Sequence, residues 1–420
     1  MAILALCLLG AWAVGHLLIV GVAARWGNTR ALLYFMACFL ILVYLTKPYT
    51  YDLKKYSIYF ATGFIPTQTW HMPDGHFHLA PEDTTGDPFE GNYELAFRRL
   101  AEFGNKLLPK GSLWPRVDFD YDGFKERGPP RSDATIVLVA LAGFVLISLT
   151  LTTVGRWDGG SSSSFRPDFL LVSILILGSI FFLLGSQNTL RQFLGMSIAI
   201  NGIVLAMSRR YVLGSLVCLL SVVFHQWMPL LGAIGIVLAV ATDIEQSSTE
   251  SDVVLPLRAS RVDVSVFLLG CIAMVAIKAI GIFGLFTMDL PLVVDFKHYL
   301  IDQNQYESLE RISGIKKAGL LALLVLASEM ILGATRITTF NKARSLRRKV
   351  LLFILPLAMY PEIFSRVLII YWVSELIFII GALSAHETRI RMSGAFVFCA
   401  YGIAPNAINI IIGPAWLFAL

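Results

Sequence analysis

Apolar residues in this chain fall in long, nearly unbroken runs separated by short polar stretches. The runs lie near 2–24, 31–46, 134–154, 168–186, 190–207, 211–224, 227–242, 264–286, 317–335, 350–361, 367–384 and 394–412. A helix needs about 17–25 apolar residues to cross a bilayer, and within lipid the backbone must satisfy its own hydrogen bonds. The pattern predicts an all-α polytopic integral membrane protein with about 12 transmembrane helices. It divides the chain into two N-terminal transmembrane helices (1–46), a large polar loop (47–133) and a helix bundle (134–420). The first run lacks a basic leader and reads as a span rather than a cleaved signal. The run at 350–361 is too short to cross alone and carries Pro356 and Pro361, where it breaks or joins the next run. The pair over 190–224 is short enough to be re-entrant.

Basic residues order the connections. Those near 25–30, 155–167, 208–210, 243–263, 336–349 and 385–393 carry 2, 2, 2, 2, 6 and 2 Lys/Arg. The positive-inside rule puts this set in the cytoplasm. The run Lys342, Arg344, Arg347, Arg348 and Lys349 is the strongest anchor, read as a loop. The loops 47–133 and 287–316 then face outward. Within the first, YELAFRRLAEFGNKLL (93–108) spaces Leu95, Phe97, Leu100, Phe103 and Leu107 as one helical stripe for the membrane edge. The rest of 47–133 is rich in Pro, Gly and charge, with no evident core. Composition agrees: 56% of the 420 residues are hydrophobic, 15% are charged, and mean hydropathy is +0.70. The net charge of +5 reflects loop topology, not nucleic-acid binding. All five cysteines fall inside apolar runs without a CxxC, which argues against a disulfide framework or a zinc knuckle.

Three outward positions carry candidate chemistry. Arg191 opens one run, followed by Gln192; His225 ends another; Arg366 lies at a third outer end. The planar fork of arginine matches phosphate oxygens and stays charged, so a lipid-linked pyrophosphate is the natural ligand. The alternative is that each arginine snorkels to headgroups and His225 is a satisfied interfacial histidine. Gly195, Ser197 and Ala199 favour close helix packing instead. Asp52 and Tyr56 are four apart and share a helical face, although Asp52 could simply pair with Lys54 or Lys55. Glu90 and Glu94 precede the amphipathic stripe, where acids also favour a helix N-terminus. His71, His76 and His78 with Asp74 read as a polar loop rather than a metal site; no metal is expected. The expected inner halves of the runs are nearly free of buried charge, which counts against a transporter.

These residues resemble those of the EpsG/Wzy-like family of bacterial polysaccharide polymerases. The likeness runs through Asp52-x-x-x-Tyr56, the glutamate-bearing segment around Glu90 to Phe103, Asn188-Thr-Leu-Arg191-Gln192, Phe224-His225, and Arg366-x-x-x-x-Tyr371, in that order. The chain departs from it in Gln226-Trp227 after the histidine and in the longer histidine-rich stretch. The resemblance implies a GT-C-like architecture in the bacterial inner membrane with its active site facing the periplasm. It implies a glycosyltransferase without cofactor, moving a growing glycan from undecaprenyl pyrophosphate to the sugar hydroxyl of a lipid-linked repeat unit. His225, then Asp52 or Glu94, would accept the proton. Arg191, Gln192, Arg366, Tyr56 and Tyr371 would bind substrate. The donor and acceptor lipids, and a chain-length regulator, are the implied partners. An O-antigen ligase-type transferase and a lipid-linked oligosaccharide flippase are the alternatives.

Overall fold

The computed structural model describes residues 51–63, 67–70, 77–80, 94–111, 132–152, 169–179, 182, 190–248, 260–282, 307–333, 338–383, 385, 387–398 and 400. The expected runs at 2–24 and 31–46, and His71, Asp74, His76 and Glu90, lie outside them; of the expected loop 287–316, residues 287–306 lie outside them and 307–316 are helical instead.

The segment 47–133 contains more packing than its composition suggests. Helix α1 (Tyr51–Thr62) precedes an antiparallel ribbon, β1 (Thr67–Trp70) and β2 (Phe77–Ala80), in which Thr69 stands opposite His78. Helix α2 (Leu95–Leu107) follows, then the long apolar α3 (Asp133–Thr152). Tyr56, Tyr59 and Phe60 of α1, Phe97 of α2 and Ile136 of α3 form a buried aromatic cluster of their own. The Tyr59 and Phe97 rings stack at 6.3 Å, and Tyr56 meets Phe97 edge-on at 5.6 Å. Polar bonds fix the three helices. Asn105 donates to the carbonyls of Phe60 and Ala61 at 2.8 and 2.7 Å, satisfying acceptors that the end of α1 leaves open. The Ser57 hydroxyl donates to Asp133 at 2.6 Å. Gly104 allows the closest approach: a Cβ there would sit 2.3 Å from Thr135 Cγ2.

The expected single stripe on α2 splits in two. Phe97, Ala101 and Gly104 face the core. Leu95, Phe103 and Leu107 stay more than half exposed, on a different side. The small residues Ala101 and Gly104 set the buried face because only they admit α1 and α3 closely.

The main bundle comprises α4 (Phe169–Leu177), α5 (Leu190–Met207), α6 (Tyr211–Leu220), α7 (Met228–Ser248), α8 (Arg261–Ile282), α9 (Glu307–Leu332), α10 (Thr338–Ile354), α11 (Pro361–Leu383) and α12 (Thr388–Phe398). Among the described residues, four helices are long and apolar enough to cross a membrane: Asp133–Thr152, Leu190–Met207, Met228–Glu245 and Ile363–Leu383. Small residues knit α5, α6 and α7 together. A Cβ on Gly202 would lie 2.5 Å from the Gly214 carbonyl, and one on Gly195 would lie 2.5 Å from Met228 Cγ. Lipid offers no hydrophobic drive between helices, so close backbone contact supplies the adhesion. Leu216 and Leu220 of α6 and Ile272 of α8 point outward, as a lipid-facing surface requires. The break expected around Pro356 and Pro361 is present: α10 ends at Ile354, a 3₁₀ turn spans Pro356–Met359, and α11 starts at Pro361.

Two expectations about charge are corrected. The basic run 342–349 is not a loop but part of α10, and its side chains turn inward. Arg344 pairs with Glu329 of α9, and Arg347 with Glu375 of α11 at 2.8 Å. Arg348 and Lys349 pair with Glu245 of α7 and Asp263 of α8, and Lys342 pairs with Asp243. The bundle is therefore not free of buried charge. Desolvating these ions is costly, and the helices hold them because each cation meets a carboxylate from another helix.

Candidate functional site

Four chain segments converge at the end of the bundle opposite Asp243 and Glu245. Arg191 sits in the first turn of α5, eighteen residues before Arg209, which pairs with Asp243. At 1.5 Å per residue these two positions are about 27 Å apart along the chain, close to a hydrocarbon thickness. His225 occupies the turn between the 3₁₀ end of α6 and the start of α7. Arg366 lies in the second turn of α11. Glu94 occupies the N-cap position of α2, with no capping hydrogen bond from its side chain. The short turn at His225 follows from Pro229 at the second position of α7, where a proline fits a helix start.

The geometry links these groups. Arg191 Nη1 donates to Glu94 Oε2 at 3.0 Å, with the two side chains 25% and 17% exposed. His225 is buried, and its Nδ1 accepts the Trp227 backbone N–H at 3.2 Å. A neutral ring with Nδ1 as acceptor carries its proton on Nε2. Burial lowers the His225 pKa to about 3, and the positive charges of Arg191 and Arg366 push it the same way. The imidazole is thus a neutral donor flanked by two fixed cations. Gln192 is buried beside Arg191.

The other expected site residues fall into place as follows. Asp52 lies in α1 one turn before Tyr56, with its side chain outside the described residues. Tyr56 is packed in the aromatic cluster against Phe97. Tyr371 is fully buried, and its hydroxyl donates to Glu375, joining it to the ion network rather than to the arginines. Tyr59 was missed by the sequence reading. Burial pushes its hydroxyl up to about 12, while the nearby Arg98 and Arg191 act in the opposite direction. It borders the arginine site from α1, and only its three-residue offset from Tyr56 hinted at that. Among the described residues no His, Cys, Asp and Glu cluster could hold a metal ion.

The family model for the EpsG family matches residues 133–416, more than half of the chain. Arg191, Gln192, His225, Arg366 and Tyr371 lie inside that match; Asp52, Tyr56 and Glu94 precede it. No curated protein and no solved structure matches the chain significantly. The chain belongs to the EpsG family of polysaccharide polymerase-like membrane proteins.

Proposed function

We propose that this protein is a polysaccharide polymerase of the inner membrane. It transfers a growing glycan from undecaprenyl pyrophosphate to the sugar hydroxyl of a lipid-linked repeat unit at the periplasmic face. One observation carries the reading: two arginines from separate helices flank a neutral buried histidine, with a carboxylate on one of them. Two fixed positive charges suit a leaving pyrophosphate, whose negative charge grows as the anomeric bond breaks. The hydroxyl oxygen of the acceptor sugar bonds to the anomeric carbon, the bond to pyrophosphate breaks, and the hydroxyl proton needs an acceptor within reach.

The hydrogen bond from Trp227 occupies the basic nitrogen of His225, so His225 acts here as a donor to the pyrophosphate through Nε2. Glu94 becomes the first choice for proton acceptor. The incoming pyrophosphate competes with Glu94 for Arg191 and releases the carboxylate. Gln192 and Tyr56 complete the substrate-binding set, Asp52 is the alternative proton acceptor, and Tyr371 is committed to Glu375 in the ion network instead.

The buried ions of α10 remove the earlier argument against a transporter, since charge is not confined to one end of the bundle. They are paired across helices, which supports a structural role. The decisive experiment incubates purified protein with lipid-linked repeat units. A ladder of chain lengths on the lipid carrier supports the polymerase. A single transfer to a different acceptor supports a ligase, and translocation without product supports a transporter.

A further inference from the structure

We infer that an apolar groove between α7, α8 and α11 holds the isoprenoid tail of a polyprenyl pyrophosphate whose headgroup sits at Arg366 and His225. The inference rests on the reading above for its headgroup and on the groove itself for its tail. The groove has a volume of about 450 Å³, within the roughly 300–1,000 Å³ typical of small-ligand sites. Its walls come from α7, α8, α10 and α11, and Arg366 is the one charged side chain among the described residues lining it.

Trp227 forms one end of the groove, and its backbone N–H holds His225. The groove therefore adjoins His225 at its Trp227 end. It runs along α7 from Trp227 to Leu238, a rise of about 16 Å, or half of a roughly 30 Å hydrocarbon core. The space exists because Ala273 and Ala276 line it from α8, where larger side chains would fill it.

Charge complementarity selects the occupant. Arg366 lines the groove, and Arg191, bridged to Glu94, acts together with it on the adjoining His225. A pyrophosphate matches that pair better than the single negative charge of a phosphodiester lipid.

The test uses the full-length protein in detergent and a farnesyl pyrophosphate analogue carrying a terminal benzophenone. Irradiation is expected to label α7 and α8 at groove positions. Undecaprenyl pyrophosphate should compete, and phosphatidylglycerol at the same concentration should not. Ala273→Trp and Ala276→Trp narrow the groove from its partly exposed and exposed sides without displacing the buried core. Each should cut labelling about tenfold, the loss expected from displacing two buried methylenes. Labelling confined to positions outside the groove walls, or equal competition by phosphatidylglycerol, overturns the inference, and the parent protein alone suffices to read it. Labelling does not require turnover. Groove labelling without a polymer ladder would leave the groove standing and refute the polymerase; a ladder with labelling elsewhere would do the reverse.

Discussion

Arg191→Lys separates a phosphate-binding arginine from one that merely anchors α2. The bridge to Glu94 uses a single nitrogen and a single oxygen at 3.0 Å. A lysine ammonium can make that same contact, so the tie between α2 and α5 should survive. The pair is partly exposed, at 25% and 17%. Such a pair contributes about 0–1 kcal/mol after solvent screening, so the melting temperature should move by no more than about 2–4 °C. The forked geometry, by contrast, is lost. Removing one preorganised contact to developing charge costs about 2.7–4 kcal/mol, or roughly 100- to 1000-fold in rate. The expected signature is a small change in stability beside a large loss of activity. The assay follows ladder growth from lipid-linked units in detergent, with expression and thermal unfolding measured on the same preparations. Arg191→Ala should be as slow or slower. An Arg191→Lys protein that elongates at near-parental rate with an unchanged melting point would refute the assignment and leave snorkelling as the account of Arg191.

Three other perturbations test other parts of the structure. Glu375→Leu leaves Arg347, fully buried and stacked 4.2 Å from the Phe378 ring, without its carboxylate; this should cost about 3–5 kcal/mol, and Arg347→Met in the same chain should restore most of it. Parent-like thermal stability of Glu375→Leu alone would contradict the buried pairing. His225 titrates near 3 when folded and near 6.5 when unfolded; the unfolded state thus binds the extra proton first, and stability should fall as pH drops from about 6.5 towards 3. His225→Asn should flatten that acid limb in pH-dependent unfolding, and an unchanged limb would count against a buried neutral ring. For orientation, cysteines at Lys106 and Arg210, both exposed, should react with impermeant thiol reagents from opposite sides, Lys106 from outside; same-side labelling would break the expected topology.

Runs of apolar residues made much of the bundle legible, because lipid permits few backbone solutions and each leaves a contiguous signature. Helix α5 begins at the residue before Arg191 and ends at Met207, as its apolar run does. The candidate site was legible for a related reason. Arg191, His225 and Arg366 each interrupt or bound a run, and a costly residue stands out against an apolar background. The core formed by α1, α2 and α3 was less visible. Its buried face depends on Ala101 and Gly104, whose value lies in what they allow to approach, and hydropathy does not register that.

The basic segment 342–349 shows why charge was the least readable feature. A local window sees five cations and no acid, which is the signature of a cytoplasmic loop. The neutralising carboxylates are Asp243, Glu245, Asp263, Glu329 and Glu375, contributed by four other helices. None is a sequence neighbour of the run, so compensation appears only after folding. The positive-inside rule concerns charge that stays near the membrane surface, and a cation closed into a buried pair contributes little to it. Orientation then rests on the exposed Arg209, Arg210 and Arg389, which lie in the two-residue basic connections. The same pairing explains how α10 keeps five cations while packing against α7, α8, α9 and α11: the ions serve as directional ties between helices whose apolar faces are otherwise interchangeable.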